Sequence, residues 1–217
     1  MSKPILFFDF DGVIVHSLDM WFEIAKRDHP WATREMWQEM ARGNIHTAFE
    51  AMSAELHSEK QNMGGAHGLI EEEIMKKLTE QRLTDGIAAA LFECTKMADL
   101  FIVTSGKSNV VRHFLEFHGL DVHFVDIYGS DHDICKEKKI RMIFERTGCV
   151  AGECLFITDT LGDLREANRA EVPGIAVTWG HHDKVDLRKG DPIAMVDTVE
   201  ELMGVIKERL EKSALGA

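Results

Sequence analysis

Ile5-Leu6-Phe7-Phe8-Asp9-Phe10-Asp11-Gly12 decides the fold. Four consecutive apolar residues read as a strand buried on both faces, as strands of a parallel sheet are. Asp9 and Asp11 follow where that strand ends. Alternate residues of an extended chain face the same side, so the two carboxylates stand together at the carboxyl edge of the sheet. Open α/β proteins bind their ligands at that edge. Two carboxylates so close repel unless they share a cation or a proton. Gly12 lets the chain turn sharply away. A turn carrying two solvated aspartates would fit the same residues, so the rest of the chain must decide.

The buried-strand pattern recurs at 100–103, 122–127, 154–157 and 174–177. Segments with helical periodicity follow most of these runs, at 110–118, 136–147 and 163–170. In 136–147, Ile140, Ile143 and Phe144 fall on one face and Gly148 supplies a stop. Strand and helix alternate in this way from about residue 86. The fold class is therefore α/β, with a doubly wound, mainly parallel sheet. The stretch 18–82 breaks the rhythm. It has helical spacings such as Trp21/Ile24/Ala25 and Met36/Met40, and a glycine-rich polar stretch at 61–68 that reads as a loop. Glu71-Glu72-Glu73 before Lys76-Lys77 reads as a solvated helix with acid-before-base pairs. A helical domain of residues 17–83 is thus expected inside a core formed by 1–16 and 84–217. A closing helix is expected over 198–212, with Thr198 as N-cap and Glu201 three residues on.

Composition narrows the function classes. At 217 residues, 45% apolar and 29% charged, the chain can build one core with a smaller insert. A net charge of −12 repels polyanions, which argues against nucleic acid and anionic membranes as partners. An anionic small molecule at the sheet edge would then need a local cation. Cys94, Cys135, Cys149 and Cys154 form no close Cys-x-x-Cys pair and are expected to be reduced, mostly buried thiols. The apolar stretch at 4–8 is too short for a signal-peptide core or a membrane span, so a cytoplasmic location is expected.

Three more segments end at the same edge. Thr158-Asp159-Thr160-Leu161-Gly162-Asp163 follows a buried run, and Asp163 could cap the next helix. Asp9 and Asp159 together offer hard oxygen ligands of the kind Mg²⁺ takes. Val103-Thr104-Ser105-Gly106 offers hydroxyls and backbone N–H groups to a phosphoryl oxygen. Lys136 begins a helix and could lie over that edge, with Lys138 and Lys139 as rivals.

In order and spacing, these four segments resemble the motifs of the haloacid dehalogenase-like hydrolase superfamily. The nearest branch is that of phosphoglycolate phosphatases and β-phosphoglucomutases. The resemblance runs over nearly the whole chain, including Val177-Thr178-Trp179-Gly180 and 197–202. It implies a Rossmann-like core with a small helical cap after the first strand. It also implies Mg²⁺-dependent hydrolysis of a small phosphorylated metabolite through an aspartyl-phosphate. In these terms Asp9 is the nucleophile and Asp11 the general acid and base, its carbonyl also binding Mg²⁺. Thr104 and Lys136 hold the phosphoryl group, with Gly12, Ser105 and Gly106 beside it, and Asp159 and Asp163 complete the metal site. Met40-Ala41-Arg42-Gly43-Asn44-Ile45-His46 resembles the cap loop that faces the site, where Arg42 and His46 would touch substrate.

Two departures stand out: His16-Ser17 where an acidic residue usually precedes the serine, and Thr158 where a glycine is usual. His16 reads as a hinge residue that could add a titrating group. Trp21, Trp31 and Trp37 could line a pocket but read more readily as packing for the cap. A sugar-phosphate mutase shares every motif, and a non-catalytic binding protein could keep the fold. The presence of Asp11 argues against a dehalogenase. None of Lys26, Lys60, Lys76 and Lys77 stands in the setting of an imine-forming phosphonatase lysine. Nothing in the sequence chooses an oligomeric state.

Overall fold

A computed structural model describes residues 3–40, 42–56 and 71–215. Six strands form one all-parallel sheet: β1 (Ile5–Phe8), β2 (Asp99–Val103), β3 (Asp126–Tyr128), β4 (Cys154–Thr158), β5 (Gly174–Val177) and β6 (Ala194–Val196), in the spatial order β3-β2-β1-β4-β5-β6. β1 is central, with Ile5 level with both Asp99 and Cys154. Because side chains alternate along each strand, the sheet feeds two cores. Leu6, Phe8, Ile102 and Ile157 point to one face, and Ile5, Phe7, Phe101 and Phe156 to the other.

Helices cover both faces, as a buried parallel sheet requires. On the first lie α5 (Ile87–Thr95), α6 (Ser108–Phe117) and α10 (Val199–Leu215), contributing Leu91, Phe114 and Leu202. On the second lie α7 (Lys136–Thr147) and α8 (Leu161–Arg169), contributing Ile140, Ile143 and Ala167. A short helix, α9 (Lys184–Arg188), packs Leu187 against Leu164 and Ala176. Between β1 and α5 come α1 (Leu18–Asp28), α2 (Arg34–Met40), α3 (Ile45–Leu56) and α4 (Glu71–Thr79). The expected loop at 61–68 lies outside the described residues.

The chain leaves the sheet and returns to it side by side. Thr84 N donates to the Ile14 carbonyl and His16 N to the Arg82 carbonyl, both at 2.9 Å. The Thr84 hydroxyl adds a bond to the Val13 carbonyl at 2.8 Å. His16 therefore sits at the crossing between the sheet and the helical insert.

Two expectations are corrected, and one strand is added. The strand read over 122–127 is only Asp126–Tyr128, preceded by a 3₁₀ turn at Asp121–His123. Val122 and Val125 are 77% and 50% exposed, so they are surface valines that imitate a buried run. β6 has no counterpart among the expected strands, because three residues carry too little periodicity to register. Asp163 does not cap α8. Thr160 does, accepting from Asp163 N at 3.3 Å, which frees the Asp163 carboxylate for other partners. Thr198 accepts from Glu201 N at 3.2 Å, as expected of the closing helix's cap. The four thiols are free, with Cys94, Cys149 and Cys154 buried and Cys135 half-buried. Among the described residues, no helix is long and apolar enough to cross a membrane.

Candidate active site

The carboxyl ends of β1 and β4 place Asp9 and Asp159 side by side. Asp9 N donates to the Ile157 carbonyl at 2.9 Å, which extends the β1–β4 ladder by one residue and fixes where the Asp9 side chain emerges. Phe10 N donates to Asp9 Oδ1 at 2.8 Å. Lys136, the first residue of α7, brings its ammonium to the same oxygen at 2.8 Å and to Asp163 Oδ2 at 2.7 Å. Of the three candidate lysines, only Lys136 does this. Lys138 pairs outward with Asp133, and Lys139 is fully buried with its ammonium 2.6 Å from the Thr104 carbonyl. Thr158 Oγ1 donates to Asp163 Oδ2 at 2.8 Å, so the residue in the usual glycine position helps orient that carboxylate.

Charge in this buried cluster is unbalanced. Burial drives the Asp9 carboxyl well above its ordinary range, against the pull of Lys136. Burial likewise raises Asp159 to about 7. Asp163 is also buried, but the Lys136 charge and its hydrogen bonds hold it below its usual value. Burial disfavours the Lys136 ammonium, yet Asp163 and Asp9 together keep it above the ordinary lysine range. Three ionised carboxylates against one ammonium would leave negative charge over; burial pushes two of them toward their neutral form, and a divalent cation would neutralise the excess instead.

A second observation fits the same group. Asp159 Oδ2 accepts from His181 N at 2.7 Å, while Oδ1 is buried without a hydrogen-bond partner. Buried polar atoms are rarely left so, and a hard cation would satisfy this one. Among the described residues, no three carboxylate, imidazole or thiolate side chains close on one point. A small cation that keeps several waters and takes only one or two carboxylates suits such a set, as Mg²⁺ does.

Asp11 is held differently. Its Oδ1 accepts from the Ser17 hydroxyl and from Trp21 Nε1, the latter at 2.7 Å. Burial raises its carboxyl despite those two bonds. This bond gives Trp21 a place in the site beyond the packing expected of it; its sequence carries no signal for that role except its position one helical turn after Ser17. Gly12 has φ +76°, and a Cβ there would overlap the Asp159 carboxylate. Gly180 is also pressed against Asp159, where a side chain would overlap it.

The segment after β2 lies over Asp11. A Cβ on Gly106 would stand 4.0 Å from Asp11 Oδ2 and 3.6 Å from Thr104 Oγ1. Thr104 is fully buried, and its hydroxyl accepts from Gly106 N at 3.1 Å. His46 Nε2 lies 3.1 Å from the Ser105 carbonyl, so the insert touches this segment directly. Burial pushes the His46 imidazole below its ordinary value. Arg42 is drawn elsewhere: its guanidinium pairs with Asp186 at 2.9 Å and with Glu39 at 3.1 Å. His182, also without a sequence signal, accepts from Leu161 N at 2.9 Å through Nδ1 and faces the Gln38 carbonyl at 3.0 Å through Nε2.

A cavity of about 280 Å³ opens between the insert and the loop after β5. His16, Arg34, Trp37, Trp179 and His181 are among its walls. It adjoins the cluster on two sides, through Ser17 beside His16 and through His181, whose N–H holds Asp159. Burial lowers both imidazoles, that of His181 to about 4.

Lys139 yields a testable pH effect. Burial, then the neighbouring Lys136, pushes its ammonium down to about 8 from an ordinary 10.5. Below about 8 both folded and unfolded chains hold this proton. Between the two values the unfolded chain holds more protons, so stability contributed here rises with pH. Urea unfolding of Lys139→Met against the wild type should show the wild type gaining relative stability across that window. A pH-independent difference would contradict the burial argument.

Against known proteins, residues 6–177 match the family model described as haloacid dehalogenase-like hydrolase. The chain belongs to that family. It is 34% identical over 119 residues to a 5'-nucleotidase of Pseudomonas aeruginosa, a match covering 53% of this chain and 54% of that protein. The chain thus spans about half the length of that relative. A phosphoglycolate phosphatase of Mesorhizobium japonicum is 24% identical over 232 residues, covering 99% of each. Among solved structures, a haloacid dehalogenase-like family hydrolase from Streptococcus pneumoniae superposes with a TM-score of 0.76 at 19% identity, covering 94% of this chain and 98% of that one.

Proposed function

We propose that this protein hydrolyses a small phosphate monoester at Asp9, with Mg²⁺ held by Asp9, Asp159 and the Asp11 carbonyl, and with Asp163, engaged by Lys136 and Thr158, beside them. The observation that carries the reading is the buried cluster at the sheet edge. It joins Asp9 and Asp163 to one ammonium and leaves Asp159 Oδ1 without a partner. When bound, the ion supplies positive charge to the phosphoryl oxygens, which otherwise repel a nucleophile.

The residues of this chain do the rest. The Lys136 ammonium and the Thr104–Gly106 segment orient the phosphoryl group. An Asp9 oxygen attacks phosphorus, forming an aspartyl-phosphate as the bond to the leaving oxygen breaks. Asp11, whose carboxyl burial raises, gives its proton to that oxygen. It then takes a proton from the water that attacks the aspartyl-phosphate, returning Asp9 and releasing inorganic phosphate. The cavity walled by His16, Trp37, Trp179 and His181 gives the leaving alcohol its place, and residues 17–83 act as the cap that covers it. Two relatives named for phosphate-ester substrates support the same reading.

The test is phosphate release from a panel of phosphoglycolate, sugar phosphates, nucleoside monophosphates and an aryl phosphate, each with Mg²⁺ and with EDTA. Release that needs the metal is expected from at least one ester. No release from any of them would overturn the reading, and isomer formation alone would assign a mutase.

A further inference from the structure

Helix α7 begins without a cap of its own. Its N-cap residue, Cys135, supplies no side-chain acceptor, so the first N–H groups need partners from elsewhere. Glu166 of α8 provides them. This side chain is only 3% exposed, and its Oε2 accepts from Lys136 N and from Glu137 N, the latter at 3.2 Å. The same helix start carries the Lys136 ammonium to Asp9 and Asp163. Whatever fixes Glu166 therefore fixes the base of the Lys136 side chain.

The other Glu166 oxygen is held by the insert. Asn44 Nδ2 donates to Glu166 Oε1 at 3.0 Å and to the Ile134 carbonyl, just ahead of α7, at 2.7 Å. The Asn44 amide cannot turn over. Its Oδ1 accepts from His46 N at 3.2 Å and Thr47 N at 3.3 Å, capping α3. One side chain thus caps a helix of the insert with its oxygen and reaches the sheet domain with its nitrogen. Aspartate caps as well as asparagine but has no donor to offer.

We propose that Asn44 and Glu166 form a latch: seating of Asn44, at the start of α3, against the sheet domain positions Lys136 for its task at Asp9. Glu166 acts as a positioning residue, through the backbone of α7. The inference rests on the reading that Lys136 serves phosphoryl transfer, and its test has an arm that does not depend on activity.

Amide hydrogen exchange at Lys136 and Glu137 is followed by NMR in the full chain, beside phosphate release. Asn44→Asp keeps the α3 cap, loses the donor and faces Glu166 with a second carboxylate. Exchange at 136 and 137 should speed by about tenfold or more, while 143–147 of the same helix stay protected, and kcat should fall about tenfold with little change in KM. Glu166→Gln in the same chain supplies an amide that donates to the new carboxylate at position 44 while its oxygen still accepts from Lys136 N. The double variant should recover both exchange protection and kcat. Asn44→Ser, which keeps a cap acceptor without adding charge, replaces Asn44→Asp if that variant fails to fold, and it should loosen 136–137 in the same way without recovery by Glu166→Gln. Unchanged exchange in the single variant, or a double variant no better than Asn44→Asp, would overturn the latch. Wild-type protein that releases no phosphate while the exchange pattern holds would remove the proposed reaction and leave the latch standing.

Discussion

Asp9→Asn is expected to lower metal-dependent phosphate release by about 10⁴-fold or more, with the fold intact. Loss of a covalent nucleophile has effects of this size, because the remaining groups act only on an attack that no longer happens. The second half of the expectation comes from the cluster itself. Burial already drives the Asp9 carboxyl toward its neutral form, so a neutral amide of the same shape is no worse a tenant of the site. The amide oxygen of the variant side chain can still accept from Lys136 and from Phe10 N, the two donors that reach Asp9 Oδ1. Urea unfolding should therefore give stability equal to or above that of the wild type. Normal turnover in the variant would overturn the mechanism. Lost turnover with a lost fold would mean that Asp9 is structural.

Lys136→Met should be the costliest single change to stability. It leaves Asp9 and Asp163 buried without their cation, and breaking a buried pair from one side typically costs about 3–5 kcal/mol. The sign of its pH dependence is fixed. In the wild type Asp163 is held below its ordinary value, so the stability it contributes is present above that value and lost as pH falls. Without Lys136, burial is no longer opposed by a neighbouring cation and both carboxyls rise, with Asp163 still partly held down by the Thr158 hydroxyl. Groups raised in the folded state stabilise it at low pH and lose that contribution as pH rises. The deficit of the variant should therefore be large near neutrality and shrink toward about pH 5, measured by urea unfolding in EDTA. A deficit that stays the same size across that range would show that packing of the lysine stem, not its charge, matters.

The sheet was legible because burial on both faces forces long apolar runs. Phe7, Phe8, Phe101 and Phe156 leave no other reading. Where that constraint weakens, so does the signal. Val122 and Val125 offered a false strand because exposed valines look the same in sequence as buried ones, and β6 is too short to announce itself. The acidic residues at the strand ends could be found from spacing, since position after a strand determines position at the sheet edge. Lys136 could not be separated from Lys138 and Lys139 by spacing; only the resemblance chose it. His182 and Glu166 gave no signal, and Trp21 read more readily as packing than as part of the site. Each is an ordinary residue in its local sequence, and its partner lies across the tertiary structure: Asp11 for Trp21, Gln38 for His182, Asn44 for Glu166.

The central place of β1 has a consequence for how the chain is made. Ile5 to Phe8 are made well before their neighbours on either side, residues 99–102 and 154–157. At roughly 5–20 residues per second, the strand that carries Asp9 waits about 7–30 s for its second neighbour. Until then its apolar run has no sheet to enter and is exposed to wrong partners. Early synthesis therefore gives the sheet domain no head start, and the strand that ends at Asp9 gains its second neighbour only after residue 157 has been made. Nascent chains halted before residue 154 should be protease-sensitive and bind chaperones, with protection appearing only once β4 has emerged.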